Sequence, residues 1–219
     1  MAYNSSMKRE KHIPYFELVE TFKASECPVC HLIKDRRDKY FNTLVYEHLT
    51  DKFFRAAYNT TFGFCNDHAH KFLEYTNGAG IAIVHESLLD IAIEALAKGS
   101  LKGIKRGECK MCVNERTMEM QYLSTTAAYF EDDAFKRDFL SSPGLCVPHY
   151  AMLEKETWGM PKWFHEYHLK KYRELRDASR KFIDSTDFTK KVDITEEEKG
   201  VWKKVIPLLY GYRGQDRGH

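Results

Sequence analysis

The sequence of 219 residues has no uninterrupted apolar run of the roughly 20 residues that a lipid-spanning helix needs. Its most apolar stretch, residues 81–97, is broken by His85, Glu86, Asp90 and Glu94, so no membrane span is expected. Glycine and proline are scarce, at 12 and 6, which excludes a collagen-like chain. Neither sign of charge dominates: 34 Lys and Arg stand against 32 Asp and Glu, a formal net charge of +2. That balance argues against a disordered tail and against a surface built to seek polyanions. The first eleven residues show no apolar segment followed by a small-residue cleavage site, so no export signal is read and the expected compartment is a reducing cytoplasm. Gly-rich phosphate loops, a Gly-x-Ser-x-Gly elbow and a His-Glu-x-x-His helix are also lacking, and the expectation is a protein that is not an enzyme.

What is present is enough apolar material, 43% of residues with 14% aromatic, to build a core without disulfides. The six cysteines are then better read as thiolates for metal than as cystines. Compared with itself, the chain repeats. Glu26-Cys27-Pro28-Val29-Cys30 recurs 82 positions later as Glu108-Cys109-Lys110-Met111-Cys112. Gly63-Phe64-Cys65-Asn66-Asp67-His68 recurs 81 positions later as Gly144-Leu145-Cys146-Val147-Pro148-His149, so one residue is deleted between the two registers. Asp51 aligns with Asp133 and Phe72 with Leu153 in this reading. Each copy holds Cys-x-x-Cys, about 34 further residues, then Cys-x-x-His. Three thiolates and one imidazole are a complete tetrahedral set for zinc.

Apolar spacing of three, four and seven after Cys30 (Ile33, Tyr40, Phe41, Leu44, Val45) predicts a helix running outward, and residues 51–60 a second helix running back. With residues 61–64 extended, the return path closes a hairpin that would bring Cys65 and His68 to Cys27 and Cys30; the second copy would close Cys146 and His149 on Cys109 and Cys112 in the same way. Each motif would sit near a helix start, where free backbone N–H groups favour thiolate. The expected cofactor is zinc, two per chain, each centre carrying a net charge of about −1. Two 4Fe-4S clusters in an electron-transfer subunit are the alternative, because thiolate-rich sets serve both. Haem attachment at Cys27-Pro28-Val29-Cys30-His31 is disfavoured, since Val113 stands where His31 would recur and Cys65 and Cys146 would be left unused. A thioredoxin-like dithiol lacks its βαβ setting.

Among other residues, His70 is a candidate partner for His68, and His165 and His168 are read as surface or half-buried. Residues 78–98 read as a central helix and residues 160–182 as a long charged one. Thr195 with Glu198 fits a capping box heading a last helix striped by Trp202, Val205, Ile206 and Leu209, with Pro207 inside and Gly211 at its end; residues from Arg213 on are expected to fray. The expected fold is all-α: two pseudo-repeated helical hairpins, each closed by a Cys3His site, plus C-terminal helices. The expected divisions are 1–98, a basic linker 99–107, a second repeat 108–156, and an extension 157–219 packed on the repeats. The linker's charges read as a solvated loop, because no aromatic side chains are interleaved for base stacking.

The paired motifs Cys27-Pro28-Val29-Cys30, Gly63-Phe64-Cys65 with His68, the second set at Cys109, Cys112, Cys146 and His149, and the closing segment 202–211 resemble, over nearly the whole chain, the bacterial and archaeal domain-of-unknown-function family 6062. Lys110 departs from that pattern, standing where the first copy has Pro28. The resemblance implies no activity. The expected role is that of a metal-stapled adaptor or accessory subunit with protein partners, nucleic acid being disfavoured by a charge near zero.

Overall fold

The computed structural model describes residues 10–212, so the expectations for the first nine residues and for those from Arg213 on lie outside it. The described chain is all-α, without a strand. In order come α1 (Ile13–Thr21), α2 (Pro28–Thr43) continued by a π-helical turn (Leu44–His48), α3 (Lys52–Thr60), α4 (Asn66–Phe72) and α5 (Gly78–Ala97). After a 3-10 turn at Leu101–Gly103 follow α6 (Lys110–Ala128), α7 (Asp133–Phe139), α8 (Val147–Glu156), α9 (Lys162–Ser185), α10 (Glu196–Lys199) and α11 (Trp202–Tyr210).

Local chemistry explains the boundaries. The Asp51 carboxylate caps α3 by accepting from the N–H groups of Phe53 (2.6 Å) and Phe54 (3.0 Å), and Asp132 caps α7 by accepting from Phe135 N–H (2.8 Å). Asp51 therefore corresponds to Asp132, not to Asp133 as the sequence alignment had it, and the register changes upstream of the caps. The first copy contains the π turn, whereas α6 runs without one. A π turn holds one residue more than the α-helical path it replaces, so Leu44–His48 takes up the extra residue. The repeat also extends one helix beyond the motifs. His85 in α5 and His168 in α9 each bond through Nδ1 to the carbonyl four residues earlier, Ile81 O and Phe164 O, both at 2.8 Å.

Two compact units form, and neither coincides with a repeat. The first contains residues 10–32 and 120–211; the second contains residues 33–119 and Tyr212. The aromatic core of the first unit joins Phe22 to Phe135 (5.3 Å between ring centres) and Phe139 to Phe164 (5.0 Å), with Leu18 and Leu153 beside them in burial. α10 and α11 pack on α8 and α9, and Lys181 meets Glu198 at 2.8 Å. The core of the second unit centres on fully buried Phe41, which contacts Phe64 (5.5 Å), Phe72 (5.4 Å) and Tyr75 (5.0 Å), with Tyr58, Val84 and Leu88 completing it. Each such buried aromatic contributes about 2–3 kcal/mol.

The capping box at Thr195 and Glu198 is present, but it heads only the four-residue α10; Gly200 separates it from α11, which Gly211 ends at φ +74°. The stripe on α11 points largely to solvent, with Trp202, Ile206 and Leu209 exposed.

Candidate metal centres

All four motifs lie at helix starts. Cys65 and Cys146 are the N-cap residues of α4 and α8. Cys27 and Cys109 immediately precede α2 and α6, and their carbonyls accept the first helical bonds, from His31 N–H (3.0 Å) and Val113 N–H (3.1 Å). In both patterns the second ligand falls three residues on, one helical turn later and on the same face. Pro28 suits the first position of α2, where no amide hydrogen is needed. Glycines turn the chain into α4 and α8. Gly63 has φ +84°, and a Cβ there would come within 2.8 Å of Leu88 Cδ1; Gly144 has φ +81°, and a Cβ there would come within 3.1 Å of His168 Nε2.

The eight expected ligands gather into two sets of four, but not within their own repeats. In the first unit Cys27 and Cys30 meet Cys146 and His149; in the second, Cys65 and His68 meet Cys109 and Cys112. This corrects the hairpin closure read from spacing. The outward path along α2 and the π turn spans about 30 Å, whereas α3 returns only about 14 Å. Residues 61–64 add a tight turn, with Phe62 at φ +53° and Gly63 at φ +84°, rather than the extended chain that the closure required. Cys65 and His68 consequently stop beside Phe41, whose ring centre is 6.4 Å from that of His68.

In the first unit, His149 Nδ1 lies 3.4 Å from Cys27 Sγ, 3.5 Å from Cys30 Sγ and 3.2 Å from Cys146 Sγ, and the sulfurs of Cys30 and Cys146 are 3.7 Å apart. In the second, His68 Nδ1 lies 3.1 Å from Cys65 Sγ, 3.4 Å from Cys112 Sγ and 3.7 Å from Cys109 Sγ, and Cys65 and Cys112 are 3.5 Å apart. Tetrahedral zinc, with bonds of about 2.3 Å to sulfur and about 2.0 Å to nitrogen, has S–S edges near 3.8 Å and S–N edges near 3.5 Å. All six cysteines are free thiols. The donor set therefore fits a single tetrahedral cation in each unit, and two helix N-termini point their positive ends at each set of thiolates.

Electrostatics say the same. Burial opposes ionisation of Cys109, yet the bond to His68 and backbone N–H groups bring its thiol down to about 6. Burial would lower His68, but Cys109 and the Glu115 carboxylate raise it to about 10. Bonds to Cys27, Cys30 and His149 hold the Cys146 thiol far below its ordinary value, whereas burial pushes Cys27 and Cys112 up. A metal bound at either set would release the protons that its higher thiols hold.

The surroundings of the two histidines differ. His68 Nε2 faces Glu115 Oε1 at 3.3 Å, and the same oxygen lies 3.1 Å from Arg37 Nε, all three side chains being buried. The negative charge of that carboxylate, on the side of the ring away from the thiols, is one of the causes that raise His68. This corrects the part given to His70, which is exposed. Glu115 went unnoticed in the sequence, although it lies one helical turn after Cys112, and its repeat counterpart is the apolar Ile33. His168 is also corrected: it is 2% exposed, accepts the Leu145 N–H at Nε2 (2.8 Å), and with Tyr172, which bonds Leu145 O (3.0 Å), holds the residue before Cys146. His165 is exposed, as expected.

Comparison with known proteins adds a relative and a family. Over 146 residues the chain is 27% identical to "Uncharacterized 23.9 kDa protein in xynA 3'region" of Caldicellulosiruptor sp. (strain Rt8B.4), covering 64% of this chain and 71% of the relative. No solved structure matches. Residues 7–106, a shorter span than the motifs suggested and one that carries Cys27, Cys30, Cys65 and His68, match a family of unknown function, DUF6062.

Proposed function

We propose that this chain binds two zinc ions as structural centres and serves as a non-enzymatic adaptor or accessory subunit among other proteins. The supporting observation is the pair of four-donor sets, Cys27, Cys30, Cys146 with His149 and Cys65, His68, Cys109 with Cys112, whose ligand atoms all lie within 4.8 Å of one another. Four protein ligands leave no coordination position for water or substrate, which is the mark of a structural zinc site. The short edges favour one ion over an iron-sulfur cluster, whose irons are ligated at separate corners and would spread the donors farther apart. The cytoplasm, where thiols stay reduced, is the compartment in which such a set is maintained. Leu89, Ile93 and Leu96, spaced four and three apart on α5 and exposed to solvent, are consistent with a role carried by surfaces.

Elemental analysis of protein purified without oxygen tests this reading. The expected result is a colourless protein with about two zinc per chain. Iron with broad visible absorption would replace it by the electron-transfer alternative.

A further inference from the structure

Seven of the eight clustered side chains are buried; Cys65 alone is partly open to solvent. Its repeat counterpart Cys146 is 1% exposed. The difference follows from sequence: Cys65 is followed by Asn66 and Asp67, both exposed, whereas Cys146 is followed by half-buried Val147 and Pro148 and preceded by Leu145, whose backbone is held by His168 and Tyr172. The buried sulfur of Cys112 lies 3.5 Å behind that of Cys65.

From this arrangement we infer that Cys65 is a thiol-reactive modification site, with small disulfides as its substrate class and Cys112 as the resolving thiol. The inference rests on the metal reading above. In the first step the Cys65 thiolate attacks one sulfur of the small disulfide; a Cys65–S–S–R bond forms, the original S–S bond breaks, and one R–S⁻ departs. In the second step the Cys112 sulfur, losing its proton to solvent or to the departing thiolate, attacks the Cys65 sulfur, forming a Cys65–Cys112 disulfide and expelling the second R–S⁻. Two cysteine sulfurs are oxidised and one external disulfide is reduced, so electrons balance. The disulfide would remove two of the four side chains that could hold a cation in the second unit, Cys65 and Cys112, while the four in the first unit are untouched.

The test treats the full-length, zinc-loaded protein with limiting 4,4'-dithiodipyridine, following released thiopyridone and zinc optically and mapping modified cysteines by mass spectrometry. The expected result is a first product with a Cys65–Cys112 disulfide and about one zinc lost per chain, Cys65 being consumed at least about tenfold faster than Cys146. First modification at Cys27, Cys30, Cys109 or Cys146, simultaneous loss of both ions, or no reaction would overturn the inference. Labelling with limiting N-ethylmaleimide supplies a second readout that needs no disulfide to form. Protein that carries no zinc before reagent is added would defeat the metal reading, and the order of thiol consumption would still decide for or against Cys65.

Discussion

His168 shows how one side chain can tie stability to pH. It is neutral in the fold, with Nδ1–H donated to Phe164 O and Nε2 accepting from Leu145 N–H. Burial lowers its pKa to about 4 from the usual 6.5. Between those two values the unfolded chain takes up a proton that the folded chain refuses, so stability falls as pH drops from about 6.5 towards 4. By pH 5 the loss amounts to about 2 kcal/mol. His168→Gln keeps an acceptor for Leu145 but does not titrate, so urea unfolding of zinc-loaded protein should show a steeper decline between pH 7 and 5 in the wild type than in the variant. Parallel declines would contradict the assignment. The residue types in Cys-x-x-Cys and Cys-x-x-His were legible because thiolate and imidazole at one-turn spacing have few other uses. Glu115, Arg37 and His168 were not, because a buried charge or imidazole looks like a surface one until its partners are placed.

At the scale of elements, the turn between α3 and α4 decides where the second motif lands. Gly63 adopts a conformation that side chains resist, and a Cβ there would strike Leu88 and Tyr58. Gly63→Ala should therefore lower unfolding stability by about 1–3 kcal/mol, read as a shift in denaturant midpoint. An unchanged midpoint would mean the turn is not constrained. Helix positions were largely evident from periodicity and caps: residues 51–60 and 78–98 were expected as helices, and α3 and α5 occupy them within a residue. The π turn at Leu44–His48 was not evident, because a single inserted residue can be absorbed at any point along a helix, and only the matched caps Asp51 and Asp132 locate it.

At the scale of the molecule, each cluster draws two cysteines from one repeat and a cysteine and a histidine from the other. Sequence separation argued for the opposite pairing, but weakly. Linking Cys27 to His149 spans 122 positions, about three times the span between Cys27 and Cys65, and costs only about 1 kcal/mol more in loop entropy. Helix lengths outweigh that. Cysteine-to-serine pairs separate the two connectivities. Cys27→Ser and Cys146→Ser should each leave about one zinc per chain, and their combination should still leave about one. Cys27→Ser with Cys65→Ser should leave none. Pairing within repeats would reverse the two double-variant results, so metal content alone decides.

Composition, periodicity and the duplicated motifs by themselves determined an all-α chain and picked out the eight side chains that cluster, because those properties depend on residue type and on spacing within a single helix. Which of those side chains meet was decided only by the tertiary structure. The spacing differs by a single residue between the repeats and permits either pairing; the long outward path of α2, the short return of α3 and the turn at Gly63 set where each helix start ends up, and only one pairing then brings four such side chains together.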